Sequence, residues 1–167
     1  DNTDKVVNFL DDARAMGLSV LPPAINEGTW MFEALGDRRI RYGLGAIKGA
    51  GRGAIEAVVE ERRRRGPYAN LLDLCQRVDP AKLGKRVLEA LIHAGALDAL
   101  GPNRASLMAQ LPEATRAADQ RLRDAAAGQN DMFGGDSPAP VRIDLPVVPE
   151  WPLAQKLTGE RDTLGHY

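Results

Sequence analysis

The chain is poor in the residues that usually announce chemistry: one cysteine, two histidines and 5% aromatics in 167 residues. A single thiol, Cys75, excludes an internal disulfide and fits a reducing cytoplasm. His93 and His166, even with Cys75, lack metal-ligand spacing, so no metal is expected. No paired-aspartate strand pattern occurs; Asp11-Asp12 falls on an amphipathic helical run, where a solvated face is expected. No apolar run approaches the roughly 18 residues that span a bilayer, and the N-terminus carries no signal-peptide pattern. The expected setting is therefore cytoplasmic, with no membrane contact and no catalytic group. Both ends read as cut from a longer polypeptide: Asp1 enters a helix almost at once, and Thr163–Tyr167 stops in an apolar, glycine-containing stretch.

What is present is an uneven charge hidden inside a net of −1. Residues 1–37 carry two basic and seven acidic side chains, a net of −5. Residues 38–65 carry nine basic and three acidic, a net of +6, and residues 77–104 five against three, a net of +2. A basic middle third is the footprint expected of polyanion contact. Arg62–Arg65 can be read as part of that contact or as a solvated helix end favoured by the dipole. At 44% hydrophobic the chain can hold one modest core.

Periodicity predicts a mainly α chain with a small β element near the N-terminus. Val6, Val7, Phe9, Leu10, Ala13 and Met16 recur at helical spacing, with Gly17 where a left-handed cap belongs. Leu18–Leu21 is expected to be extended, and Trp30–Leu35 with Arg39–Tyr42 to form a short hairpin across Gly36-Asp37-Arg38. Helical pattern begins at Gly43. Asn70 is placed to cap Leu71–Val78, Lys85–His93 is amphipathic and ends at Gly95, and Pro102 is expected at the first position of the next helix. Pro112 should restart that helix as a separate charged one over 113–127. Beyond Gly128 the prolines at 138, 140, 146, 149 and 152 predict an extended, flexible tail.

Two stretches carry function. In Ile47-Lys48-Gly49-Ala50-Gly51-Arg52-Gly53, a Gly-x-Gly turn joins a short helix to a longer apolar-striped one, a helix-hairpin-helix plan. Glycine supplies positive φ and lets a phosphate approach the backbone, while the next helix directs amides at it. Lys48 and Arg52 flank that cradle, so Lys48, Gly49, Ala50, Gly51, Arg52 and Gly53 are the candidate DNA-binding residues. Such contacts are sequence-independent and salt-sensitive. The spacing is neither G-x-G-x-x-G nor a P-loop. A second helix–turn–helix, Leu88–His93 through Arg104, repeats the plan without Gly-x-Gly, which makes the arrangement tandem. The other stretch, Gly128–Phe133, sets Met132 beside Phe133 with polar helix before and Gly/Ser/Pro after, leaving nothing to bury them. With Gln129 it reads as a linear docking peptide.

Arg41–Gly49, Arg86–Asp98, Gly101–Arg104, Gly128–Gly134 and Gly159–Gly165, in this order and with Leu21–Asn26 before them, resemble the alpha subunit of the bacterial replicative DNA polymerases of the C family (DNA polymerase III). The resemblance covers essentially the whole chain. It implies the end of the fingers over 1–41, tandem helix-hairpin-helix over 42–112, a charged helix over 113–127, a clamp-binding peptide over 128–136 and a linker towards an absent OB-fold over 137–167. It implies that Gln129, Asp131, Met132 and Phe133 bind the beta sliding clamp, methionine standing where leucine is common. Partners would be DNA backbone, the clamp and other replicative holoenzyme subunits. No cofactor is expected in this stretch, since the magnesium-binding carboxylates of a nucleotidyltransferase belong to an absent palm domain. The stretch alone should not catalyse. The alternative is a helix-hairpin-helix module of a repair protein.

Overall fold

A computed structural model describes residues 2–128 and 145–165. Helix α1 (Asn2–Ala15) ends in a Schellman turn: Leu18 N donates to Ala13 O and Gly17 N to Arg14 O, with Gly17 at φ 79°. Three short strands follow, β1 (Ser19–Leu21), β2 (Glu33–Gly36) and β3 (Arg39–Arg41). The expected hairpin is β2–β3, closed by Asp37 and Arg38, both at positive φ as a two-residue primed turn requires. Strand β1 adds in parallel on the other side of β3, a pairing that short-range patterning does not encode.

The remainder is helical: α2 (Arg52–Arg65), α3 (Leu71–Arg77), α4 (Lys85–His93), α5 (Arg104–Gly128) and α6 (Leu153–Leu164). Asn70 caps α3 as expected, its Oδ1 accepting from Asp73 N at 2.8 Å. Helix α4 has the predicted limits and ends in a second Schellman turn at Gly95. Leu44, Ile55, Leu71, Leu74, Leu88, Leu91, Ile92, Leu97 and Leu107 are fully buried and form one continuous core.

Four expectations need correction. The segment after Gly43 makes only a 3₁₀ turn, Leu44–Ala46. Leu44 N and Gly45 N donate to Thr29 O and Trp30 O, so these amides serve the loop before β2 instead of a helix. A Cβ at Gly43 would clash with the Trp30–Phe32 backbone and one at Gly45 with the Trp30 ring, which is why both are glycine. Pro102 is not the first helical residue; Asn103 caps α5, its Oδ1 accepting from Ser106 N at 2.7 Å. Pro112 does not restart the helix, because α5 runs unbroken from Arg104 to Gly128. Pro112 costs only the amide from which Met108 O would otherwise accept; the next carbonyl but two, Leu111 O, also accepts from Thr115 Oγ1 at 2.8 Å.

The fourth concerns the linker expected over 137–167. Residues 145–152 are an extended strap along the start of α5, and α6 then returns to the core. Tyr42 Oη donates to Leu164 O at 2.9 Å and Lys48 N to Thr163 O at 2.9 Å, fixing the end of α6 against the glycine turn. A tail rich in proline is stiff, and here its polar backbone finds partners.

Candidate nucleic-acid interface

The glycine turn lies between the 3₁₀ turn and α2, with Gly49 at φ 93° and Gly51 at φ 72°. Within this turn these are the two positions whose positive φ calls for glycine. A Cβ at Gly49 would also touch Ala90 of α4 at 3.4 Å, so the turn rests on α4. Around Gly51 and Gly53 nothing lies within 4 Å of a hypothetical Cβ, leaving the approach to α2 open. Gly51 is the N-cap and no side chain caps the helix, so its first amides face outward without an internal acceptor from a side chain.

The six candidate residues are brought together but are not equivalent. Lys48, Gly49, Gly51, Arg52 and Gly53 are exposed, whereas Ala50 is fully buried and offers only its backbone. Lys48 makes no ion pair among the described residues. Arg52 is engaged: its Nε donates to Glu56 Oε1 at 2.8 Å, and its guanidinium lies 5.6 Å from the centre of the Trp30 ring. An exposed i,i+4 pair of this kind contributes about 0.5 kcal/mol or less, little enough for a phosphate to displace Glu56.

Much of the basic surplus turns inward. Arg62 donates to the carbonyls of Ile25 and Gly28, both at 2.7 Å, pinning the loop after β1 onto α2; burial lowers its pKa. Arg77 donates to Gly66 O at 2.7 Å and Pro67 O at 3.0 Å and lies 4.3 Å from the centre of the Tyr68 ring. Arg104 is buried between Asp98, at 3.0 Å, and Glu160, at 2.8 Å. Of Arg62–Arg65, then, the first is structural, and Arg64 and Arg65 pair with Glu60 and Glu61 along a solvated helix end.

Glu150 and Trp151 went unread in the sequence. Glu150 accepts from Arg104 N and Ala105 N, each at 3.1 Å, and Trp151 stacks on His93 with ring centres 5.2 Å apart. Burial alone would raise the Glu150 carboxyl, but the amides of Arg104, Trp151 and Ala105 and the Lys156 ammonium outweigh it and hold its pKa at about 2. The available signal was a large ring beside a carboxylate in an otherwise unpackable stretch. Gln129, Asp131, Met132 and Phe133 lie outside the described residues. Among the described residues no three metal-ligating side chains cluster, and no helix is long and apolar enough to cross a membrane.

Two turn-linked units, the first a 3₁₀ turn leading into the uncapped α2 and the second α4 leading into α5, define the class. Residues 17–107, more than half of the chain, match the helix-hairpin-helix motif, and the chain belongs to that family. Over its whole length it is 56% identical to DNA polymerase III subunit alpha of Xylella fastidiosa (strain Temecula1), 51% to that of Vibrio cholerae and 48% to that of Escherichia coli (strain K12). The chain spans only 14–15% of the length of these relatives. The resemblance read from its motifs thus extends over the whole chain.

Proposed function

We propose that this chain is the part of a replicative DNA-directed DNA polymerase that holds the DNA backbone and docks onto the sliding clamp, without itself performing nucleotidyl transfer. The uncapped start of α2 behind Gly49 and Gly51 carries the first half of this reading. There Lys48 and Arg52 neutralise a phosphate while the Arg52, Gly53 and Ala54 amides bond it. Identity to polymerase subunits along the entire chain favours this reading over a repair module.

For the second half, Met132 and Phe133 would enter an apolar cleft on the clamp and Gln129 a polar subsite, with Asp131 between them. Burial of two such side chains supplies about 1.5–3 kcal/mol each, offset by ordering the peptide. Affinity of roughly micromolar or weaker results, and simultaneous DNA contact raises it through effective concentration. The setting would be the bacterial cytoplasm, with the remaining holoenzyme subunits contacted through the rest of the polypeptide and magnesium held elsewhere in it.

Fluorescence anisotropy with labelled duplex tests the DNA contact. Lys48→Glu and Arg52→Glu should each weaken binding several-fold irrespective of sequence and flatten its salt dependence. Gly51→Val should do the same while straining a φ of 72°. Unchanged affinity in all three variants removes the first hairpin from the interface. Met132→Ala with Phe133→Ala should abolish binding to a bacterial clamp in calorimetry and leave the melting temperature within about 1 °C, as surface changes do. A large stability loss instead would place both side chains in the core.

A further inference from the structure

The two hairpins differ at the helix start that follows each turn. Helix α2 begins uncapped. At α5 the first amides are all taken: Arg104 N and Ala105 N by the two Glu150 oxygens, Ser106 N by Asn103 Oδ1 and Leu107 N by Asn103 O. The strap that brings Glu150 there is bonded along its length. Gln110 Nε2 donates to Pro146 O at 3.0 Å, Asn103 Nδ2 to Val148 O at 2.9 Å, and Val148 N to Ser106 Oγ at 2.9 Å. Trp151 on His93 and Lys156 Nζ, 3.4 Å from Glu150, close the far end. Ser106 and Gln110 are buried beneath it.

We infer that the strap closes the second hairpin against nucleic acid, with the Glu150 carboxylate standing at the start of α5 where an open hairpin would take a phosphate. A carboxylate there satisfies two amides and the helix dipole as a phosphate does. It also repels an incoming phosphate at short range. A duplex is then gripped by the first hairpin alone, a statement that rests on the function proposed above. The second hairpin acts as a clasp, tying strap and α6 to α4 and α5.

Hydrogen exchange on the full chain, with and without duplex, tests this together with the double variant Glu150→Ala, Trp151→Ala. In the wild-type chain, the Arg104 and Ala105 amides should be protected before DNA is added and stay so afterwards, while those of Arg52 to Ala54 gain protection. The double variant should lose at least tenfold protection at Arg104 and Ala105 and bind duplex at least threefold more tightly at equal salt. Glu150→Gln, which keeps the side chain's size but only one acceptor oxygen, should lose protection at one of the two amides with circular dichroism unchanged, which separates unclasping from misfolding. Strap amides that exchange faster once DNA binds the wild-type chain would overturn the inference. So would Arg104 and Ala105 amides that stay protected without Glu150, or a deprotected double variant with no gain in affinity. A wild-type chain that binds no duplex, beside a double variant that does, refutes only the role of the first hairpin.

Discussion

Arg62, Arg77 and Arg104 show why a count of charges overstates a polyanion surface. Arg62 and Arg77 spend their guanidinium groups on backbone carbonyls, and the buried Arg104 spends its own on the Asp98 and Glu160 carboxylates; only the folded partners reveal it. Lys48 is the reverse case, a side chain with no ion pair among the described residues beside two glycines at positive φ. Cys75 is similarly defined by its surroundings. Burial pushes its thiol up to about 12, so a thiol reagent at pH 8 should leave it unmodified in the native chain and label it on denaturation. Rapid labelling of the native chain would show that α3 opens. Asn70 is a local matter: Asn70→Ala removes the bond to Asp73 N and should cost about 1 kcal/mol, read as a lower melting temperature. This cap was legible beforehand because capping needs only neighbours in sequence.

At the level of elements, legibility followed the range of the interaction. Helix α4, the Gly17 and Gly95 caps and the β2–β3 hairpin depend on residues within a few positions and were readable. The short helix expected after Gly43 failed because Thr29 and Trp30 claim its amides, and the break at Pro112 failed because burial of Leu111, Ala114 and Ala118 carries α5 through the proline. Helix α6 was missed because Tyr42 and Lys48, more than a hundred residues away in sequence, give it a seat. The strap should also show its electrostatics. A carboxyl held at about 2 in the folded chain and near 4.5 unfolded contributes stability above the unfolded value and loses it as pH falls toward 2. Protection of the Arg104 and Ala105 amides, corrected for intrinsic exchange, should therefore persist from pH 7 to about pH 4 and decline only below that. A decline centred near pH 6 would be inconsistent with this attachment.

For the whole molecule, the sheet and helices α2–α4 are joined by one core, and α6 links both hairpins by meeting Lys48 at one end and leading from the Glu150 attachment at the other. The candidate DNA contact was legible in the sequence as a motif, while its division into one open and one closed hairpin required the strap to be seen in place. Helix α5 has a further consequence. Ala118 is its last buried residue and Arg121, bonded to Gln76 of α3, its last link to the body, so the exposed positions 122–128, about 10 Å of helix, project beyond it. Such a rigid boom sets both the reach and the compass bearing at which the polypeptide departs. Trimming two positions from it would swing that departure point by roughly 200° while shortening it only about 3 Å, so its length in residues is an angular setting more than a ruler.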